Sequence, residues 1–267
     1  MFFKELYHYR YLLREIVAKN IKIQYRNSVL GMFWTLLQPF LTTLVLVFIF
    51  GELFWKNRDF NFPIYVLTGR LLYDFYSLST KRAMRSITGS ASVIKKVKVP
   101  KYVYPLSNVI SNYVTFMISM LVLVGFIAYF LLWPSAKNPA PVLTWHVLYA
   151  PVPLLVLFLL CIGAGLILST LAVFFKDIEY IYDVFCMLLF YATPIIYEVT
   201  DGTKPSLRFA LKCNPLYHIV EMFRDCVLRG RMFSYKSLLF ALGWALVLIL
   251  IGGLVFWRKQ DKFILHI

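Results

Sequence analysis

Apolar runs of about twenty residues recur from one end of the sequence to the other, and they restrict the chain more than any other feature. They lie at 29–54, 62–80, 106–133, 147–175, 178–197 and 237–257. At 1.5 Å per residue a helix of about 20 residues crosses a hydrocarbon core of ~30 Å. Backbone at that depth must satisfy its own hydrogen bonds, so each run is read as a helix. Hydrophobic residues make up 60% of the chain and charged ones 15%, against roughly 45–50% and about 25% in soluble domains. The charge deficit decides the class, because a wetted surface needs ionisable groups and a lipid-facing one is penalised by them. The expected fold is therefore an all-α integral membrane protein with six transmembrane helices in a single domain, 1–267.

The segments between the runs have their own patterns. In residues 1–28, Phe2, Leu6, Tyr9, Leu13, Ile16 and Val17 share one helical face, opposite Lys4, His8, Glu15, Lys19, Lys22 and Arg26. A cationic amphipathic helix of this kind lies in the headgroup plane, and no apolar core of a cleavable signal is present there. The 81–101 loop holds seven Lys/Arg and no acid. Assigning the amino-terminal segment, this loop, the Lys176 turn and the tail to one side puts 17 Lys/Arg there, against 10 on the other. Both termini are thus expected in the cytoplasm. The net charge of +15 is explained by orientation and anionic headgroups, and nucleic acid is not an expected partner.

The long loop 198–236 should contain an amphipathic helix. Asn214 is placed to cap it, Pro215 to start it and Gly230 to stop it. Leu216, Ile219, Val220, Phe223 and Val227 form its apolar face, and Asp225 and Arg229 an i,i+4 pair. Cys213 and Cys226 fall in the same loop, as a possible pair or as free thiols.

Several chemistries are absent. None of the 12 glycines is followed by lysine, so the chain has no phosphate-cradling P-loop. The four histidines form no His-x-x-x-His pair, and no metal site is expected. Asp177, Glu179 and Asp183 cluster at a turn, where the first two suit a helix amino terminus. Aromatic side chains stack on sugar faces, which makes Phe33, Trp34, Tyr73, Tyr76, Phe190 and Tyr191 candidates for lining a path.

Five marks follow one another along the chain. Gln24-Tyr25-Arg26, Ser28, Leu30-Gly31, Trp34 and Pro39 open the first span. Val93-Ile94-Lys95-Lys96 through Val99-Pro100, with Pro105-Leu106, follow the second. Phe174-Phe175-Lys176-Asp177-Ile178 forms the turn before the fifth, and Thr193-Pro194-Ile195 with Tyr197 ends it. Asn214-Pro215 and then Arg224 complete the series. In this order they resemble the permease subunits of ABC transporters that export lipid-linked polysaccharide, the family of O-antigen, capsule and teichoic acid exporters.

The resemblance implies a bacterial cytoplasmic (inner) membrane protein working as a homodimer with two copies of a cytoplasmic ABC ATPase. ATP and Mg would be bound by that partner, with no cofactor in this chain, and the cargo would be a polyprenyl-linked glycan. It implies a coupling helix within 81–101, carried by Ser90, Ser92, Val93, Ile94, Lys95 and Lys96. It also implies outer re-entrant gate helices over 198–236, with Pro194, Asn214, Pro215 and Arg224 at the gate. Lys176 stands where arginine is common in the family, and Arg70 and Asp74 where apolar or aromatic residues are usual. A charge at the centre of a span costs about 2.5–3.5 kcal/mol, more than the ~0.2–0.5 kcal/mol that an exposed i,i+4 pair returns. Arg70 and Asp74 are accordingly expected to face water, polar protein or cargo. A drug or small-lipid exporter on the same scaffold, and a membrane enzyme acting on a lipid-linked sugar, remain the alternatives.

Overall fold

The computed structural model describes residues 9–26, 28–54, 61–97, 99–135, 138–199 and 204–266, and these are helical with no strand. The first eight residues, which hold Phe2, Leu6, Lys4 and His8 of the predicted amphipathic helix, lie outside the described residues, as does Lys98 of the basic loop. Helix α1 spans Arg10–Tyr25. A 3-10 turn at Gly31–Phe33 leads into α2, Trp34–Phe54, which continues through Pro39. Proline has no N–H, so the carbonyl of Thr35, four residues earlier, loses its helical partner. The Ser119 hydroxyl of a neighbouring helix donates to it at 2.9 Å.

Helix α3, Phe62–Met84, is the centre of the molecule. Asn61 caps it, its side-chain oxygen accepting from the Ile64 N–H at 3.2 Å, and Pro63 occupies the first turn. Phe62, Ile64, Tyr65, Val66 and Leu67 are all fully buried, so this end of the helix is surrounded on every side. Two short helices follow, α4 (Ser86–Gly89) and α5 (Ala91–Ile94), before α6, Val103–Leu132. A 3-10 segment, Trp145–Tyr149, precedes α7, Pro151–Phe174. Helix α8 covers Ile178–Tyr191, α9 Pro205–Lys212, α10 Pro215–Val227, α11 Tyr235–Lys259 and α12 Phe263–His266.

Helices α7 and α11 touch backbone to backbone. A Cβ on Gly163 would lie 2.6 Å from the Ile249 nitrogen, and one on Gly252 would lie 2.7 Å from the Gly163 carbonyl oxygen. Small residues on facing helices permit this approach, as expected of apolar helices in lipid. At one end of the bundle, called here the basic end, Ile87, Ile94, Tyr104, Val173, Phe256 and Phe263 form a separate buried cluster.

Among the described residues, four helical stretches are long and apolar enough to cross a membrane: Gly31–Gly51, Val103–Leu132, Trp145–Phe174 and Tyr235–His266. At the second predicted span stands the helix α3, long enough at 23 residues but carrying Arg70, Asp74, Lys81 and Arg82, and it is not among these four. The fifth is shorter than expected. Helix α8 has 14 residues and ends at Tyr191 instead of 197, because Pro194 cannot continue it and Ala192–Tyr197 turns away.

Candidate functional site

Three polar assemblies interrupt this apolar bundle. The first is a cleft of about 320 Å³ where α1, the start of α2, α3 and α6 meet. Its walls include Gln24, Tyr25, Trp34, Asp74, Lys81 and Asn112. Arg82 organises one end, its Nη1 donating to Gln24 Oε1 and to Asn112 Oδ1, each at 2.7 Å. A guanidinium only donates, so it fixes which way both amides face. Gln24 Nε2 then donates to the Tyr25 hydroxyl at 2.8 Å. Asp74, at the other end, is held by Arg70 Nε at 2.7 Å, with 40% of its side chain exposed. Directly beyond the cleft, along the same α2–α6 seam, runs an apolar groove of about 880 Å³ lined by Phe33, Phe40, Leu44, Phe126 and Tyr129 among others.

The second assembly joins α8 to α3. Arg85 pairs with Glu179 at 2.9 Å and Lys81 with Asp183 at 2.7 Å. The Tyr182 hydroxyl donates to Thr80 Oγ1, and the Tyr73 hydroxyl to the Cys186 carbonyl, both at 2.7 Å. Tyr73 meets Phe190 edge-on at 5.1 Å, and the Arg70 guanidinium lies 5.2 Å from the same ring. Two of the three acids at this turn are thus taken by ion pairs.

The third lies at the end opposite the basic one. Asn214 caps α10, accepting from the Leu216 N–H at 2.9 Å, while its Nδ2 donates to Thr193 Oγ1 at 3.0 Å. Arg224 is fully buried. Its Nη1 donates to the Pro194 carbonyl at 2.6 Å and Glu221 Oε1 at 3.1 Å. Its Nη2 donates to the carbonyls of Tyr65 at 2.9 Å and Ile195 at 3.3 Å, and its Nε to Thr68 Oγ1 at 3.4 Å. The guanidinium stacks 3.4 Å from the Tyr65 ring centroid. Gly69 makes room for it, since a Cβ there would sit 2.6 Å from Nη2. Arg229 bonds Glu221 at 2.6 Å and Asp225 at 2.9 Å. Burial pushes the Glu221 carboxyl up, but Arg224 and Arg229 outweigh it and hold the group below its ordinary range. Cys213 is exposed and Cys226 buried, both free.

The sequence candidates distribute over these places. Trp34 and Asp74 line the cleft, and Phe33 lines the groove. Arg70, Tyr73 and Phe190 converge at the α3–α8 contact. Tyr76 is buried in the core, and Tyr191 is largely exposed. Pro194, Asn214 and Arg224 meet in the third assembly, with Pro215 in the first turn of α10. In the basic loop, α4 and α5 are kinked at Ser90. Ile94 turns inward to the buried cluster, while Ser92, Val93, Lys95 and Lys96 face out. Sequence reasoning missed Arg82, Gln24 and Asn112 as a unit. It also missed the depth of Arg224, although the spacing Val220, Arg224, Val227 places that arginine on the apolar stripe.

Residues 11–228 match the sequence profile of the family described as "ABC-2 type transporter". The chain is 31% identical over 264 residues to the O-antigen export system permease protein RfbA of Myxococcus xanthus, covering 97% of this chain and 96% of that protein. It is 29% identical over 255 residues to the protein of the same name from Klebsiella pneumoniae, covering 94% and 93%. The polysialic acid transport protein KpsM of Escherichia coli is 24% identical over 255 residues, with 92% of each chain covered.

Proposed function

The chain belongs to the ABC-2 type transporter family, and from that premise we propose that it is the membrane-spanning permease of a system exporting lipid-linked polysaccharide across the cytoplasmic membrane. The observation that carries the reading is kinship along nearly the whole chain to permeases named for O-antigen export. The energy source is a separate ATPase, since this sequence has no nucleotide-cradling loop. The basic end faces the cytoplasm, in accord with the lysine and arginine distribution. There α4 and α5 present Ser92, Val93, Lys95 and Lys96 outward from a base anchored by Ile87 and Ile94. A motor can push on such a base because it is tied into the bundle.

In this reading α3 and α8 complete a set of six membrane helices, with α8 crossing only part way. Helices α9 and α10 lie at the outer face, where Arg224 fastens α10 to the bend at Pro194. The cargo is a glycan on a polyprenyl carrier, with O-antigen, capsule and teichoic acid as its class. Deleting the gene in its own organism tests the reading. Surface glycan should fall to background, and carrier-linked glycan should accumulate inside the cell. Unchanged surface glycan without internal accumulation would refute it.

A further inference from the structure

We infer that the cleft between α1, α2, α3 and α6 binds the phosphate group of a membrane-anchored lipid, whose hydrocarbon chain lies in the adjoining α2–α6 groove. The chemistry of the uncommitted groups points there. Arg82 is half-buried and bonds only two neutral amides. No carboxylate stands within ion-pair distance of it among the described residues, and its Nε and Nη2 have no partner among them. Asn112, which lines the cleft, is 1% exposed. Its Oδ1 is spent on Arg82, and its Nδ2 has no partner. The uncommitted groups of Arg82 and Asn112 are therefore all donors, on and beside a positive charge without a counterion. A buried donor costs free energy until it meets an acceptor.

The ligand that satisfies such a site is an anion rich in acceptors. A sugar hydroxyl carries no charge, and would leave the Arg82 guanidinium without a counterion. Lys81, also on the wall, is neutralised by Asp183 at 2.7 Å and has further N–H groups to share. Asp74 does not oppose the anion. It lies eight residues along α3 from Arg82, about 12 Å at the helical rise, and Arg70 holds its charge.

The groove explains why the phosphate belongs to a lipid. On α6 the cleft uses Asn112, Phe116 and Ser119, and the groove continues with Val122, Phe126 and Tyr129. Polar pocket and apolar furrow thus follow one seam in the order of headgroup and tail. Two molecules carry this chemistry, a bulk anionic phospholipid and the polyprenyl diphosphate of the cargo. The inference rests on the export reading only for the second.

The test uses the purified full chain in phosphatidylcholine nanodiscs, titrated with radiolabelled polyprenyl diphosphate or phosphatidylglycerol. Asn112→Asp is nearly isosteric, keeps Arg82 bonded and turns the free donor into an acceptor. It should weaken binding of at least one lipid by about tenfold or more, as expected for loss of a charge-assisted hydrogen bond. Preference for the diphosphate would identify the cargo as occupant, and equal binding the bulk lipid. Either supports the site where Asn112→Asp weakens that binding. Binding of both lipids unchanged by Asn112→Asp would overturn it. A photoreactive lipid phosphate provides a check on the unmodified protein, since it should crosslink to α1, α3 or α6 at the cleft, and labelling confined elsewhere would also overturn the site. Export by the unmodified protein is scored separately. Unchanged lipid binding with normal surface glycan refutes the site alone, whereas weakened binding with no export refutes the cargo.

Discussion

Arg224 carries its charge at zero exposure and spends it on five hydrogen bonds and an aromatic face. Such a group is worth most as a fastener, because removing it strands carbonyls that have no water to turn to. Arg224→Met should lower stability by about 3–5 kcal/mol, measured as a fall in the thermal midpoint in detergent. Gly69→Ala attacks the same joint from the other side. A tip held by the carbonyls of Tyr65, Pro194 and Ile195 cannot swing away from the new methyl, so a cost of about 1–3 kcal/mol is expected. Arg70 and Asp74 are a different case, a pair partly open to the cleft. Arg70→Leu leaves the Asp74 carboxylate without its partner and should impair export. Adding Asp74→Leu should restore most of it, measured as surface glycan per permease in the membrane. Persistent loss in the double variant would mean that Arg70 itself contacts cargo.

At the scale of elements, the basic loop and the outer helix behave as two separable devices. Replacing Ser90–Val97 by a Gly/Ser segment should abolish export while ATP hydrolysis by the partner continues and membrane insertion is normal. Val93→Asp should mimic it, since Val93 is exposed, whereas Ile94→Asp should also lower the thermal midpoint by unseating the loop from its buried cluster. Helix α10 should respond to acid. The Glu221 carboxyl in the folded protein is held below its ordinary value of 4.5, so its contribution to stability is present above about that pH and is lost as pH falls through the lower folded value. Protection of the α10 amides from exchange, corrected for the intrinsic rate at each pH, should hold above about pH 4.5 and fall as the pH drops below it, with a weaker acid response in Glu221→Gln. The cap at Asn214 and the stripe from Leu216 to Val227 were legible in the sequence, because capping and periodicity are local. The Arg82 unit was not. Its partners Gln24 and Asn112 stand 58 and 30 residues away, and no local rule reports a contact at that separation.

At the scale of the whole molecule, the cleft and the groove lie at helix seams, and the core of the chain is filled around α3. A polymer needs a wider way through, which two copies can make between them. The purified, ATP-active complex should therefore have the mass of two permease chains with two ATPase chains, and a mass fitting one permease chain would refute this. The general architecture followed from the apolar runs, while the short reach of α8 did not, because hydropathy continues past the residue where the helix stops. In the proposed reading, where α8 is a membrane helix, that shortfall has a mechanical consequence. Fourteen residues rise about 21 Å, against ~30 Å of hydrocarbon, and the chain turns at Ala192–Tyr197 toward the charged residues of α10. Water can follow those charges inward, so the insulating layer is locally thin. A hydrated chain of sugars then has to shed its solvent over a shorter distance, and each stroke of the motor works against a smaller dehydration barrier than the full bilayer would impose.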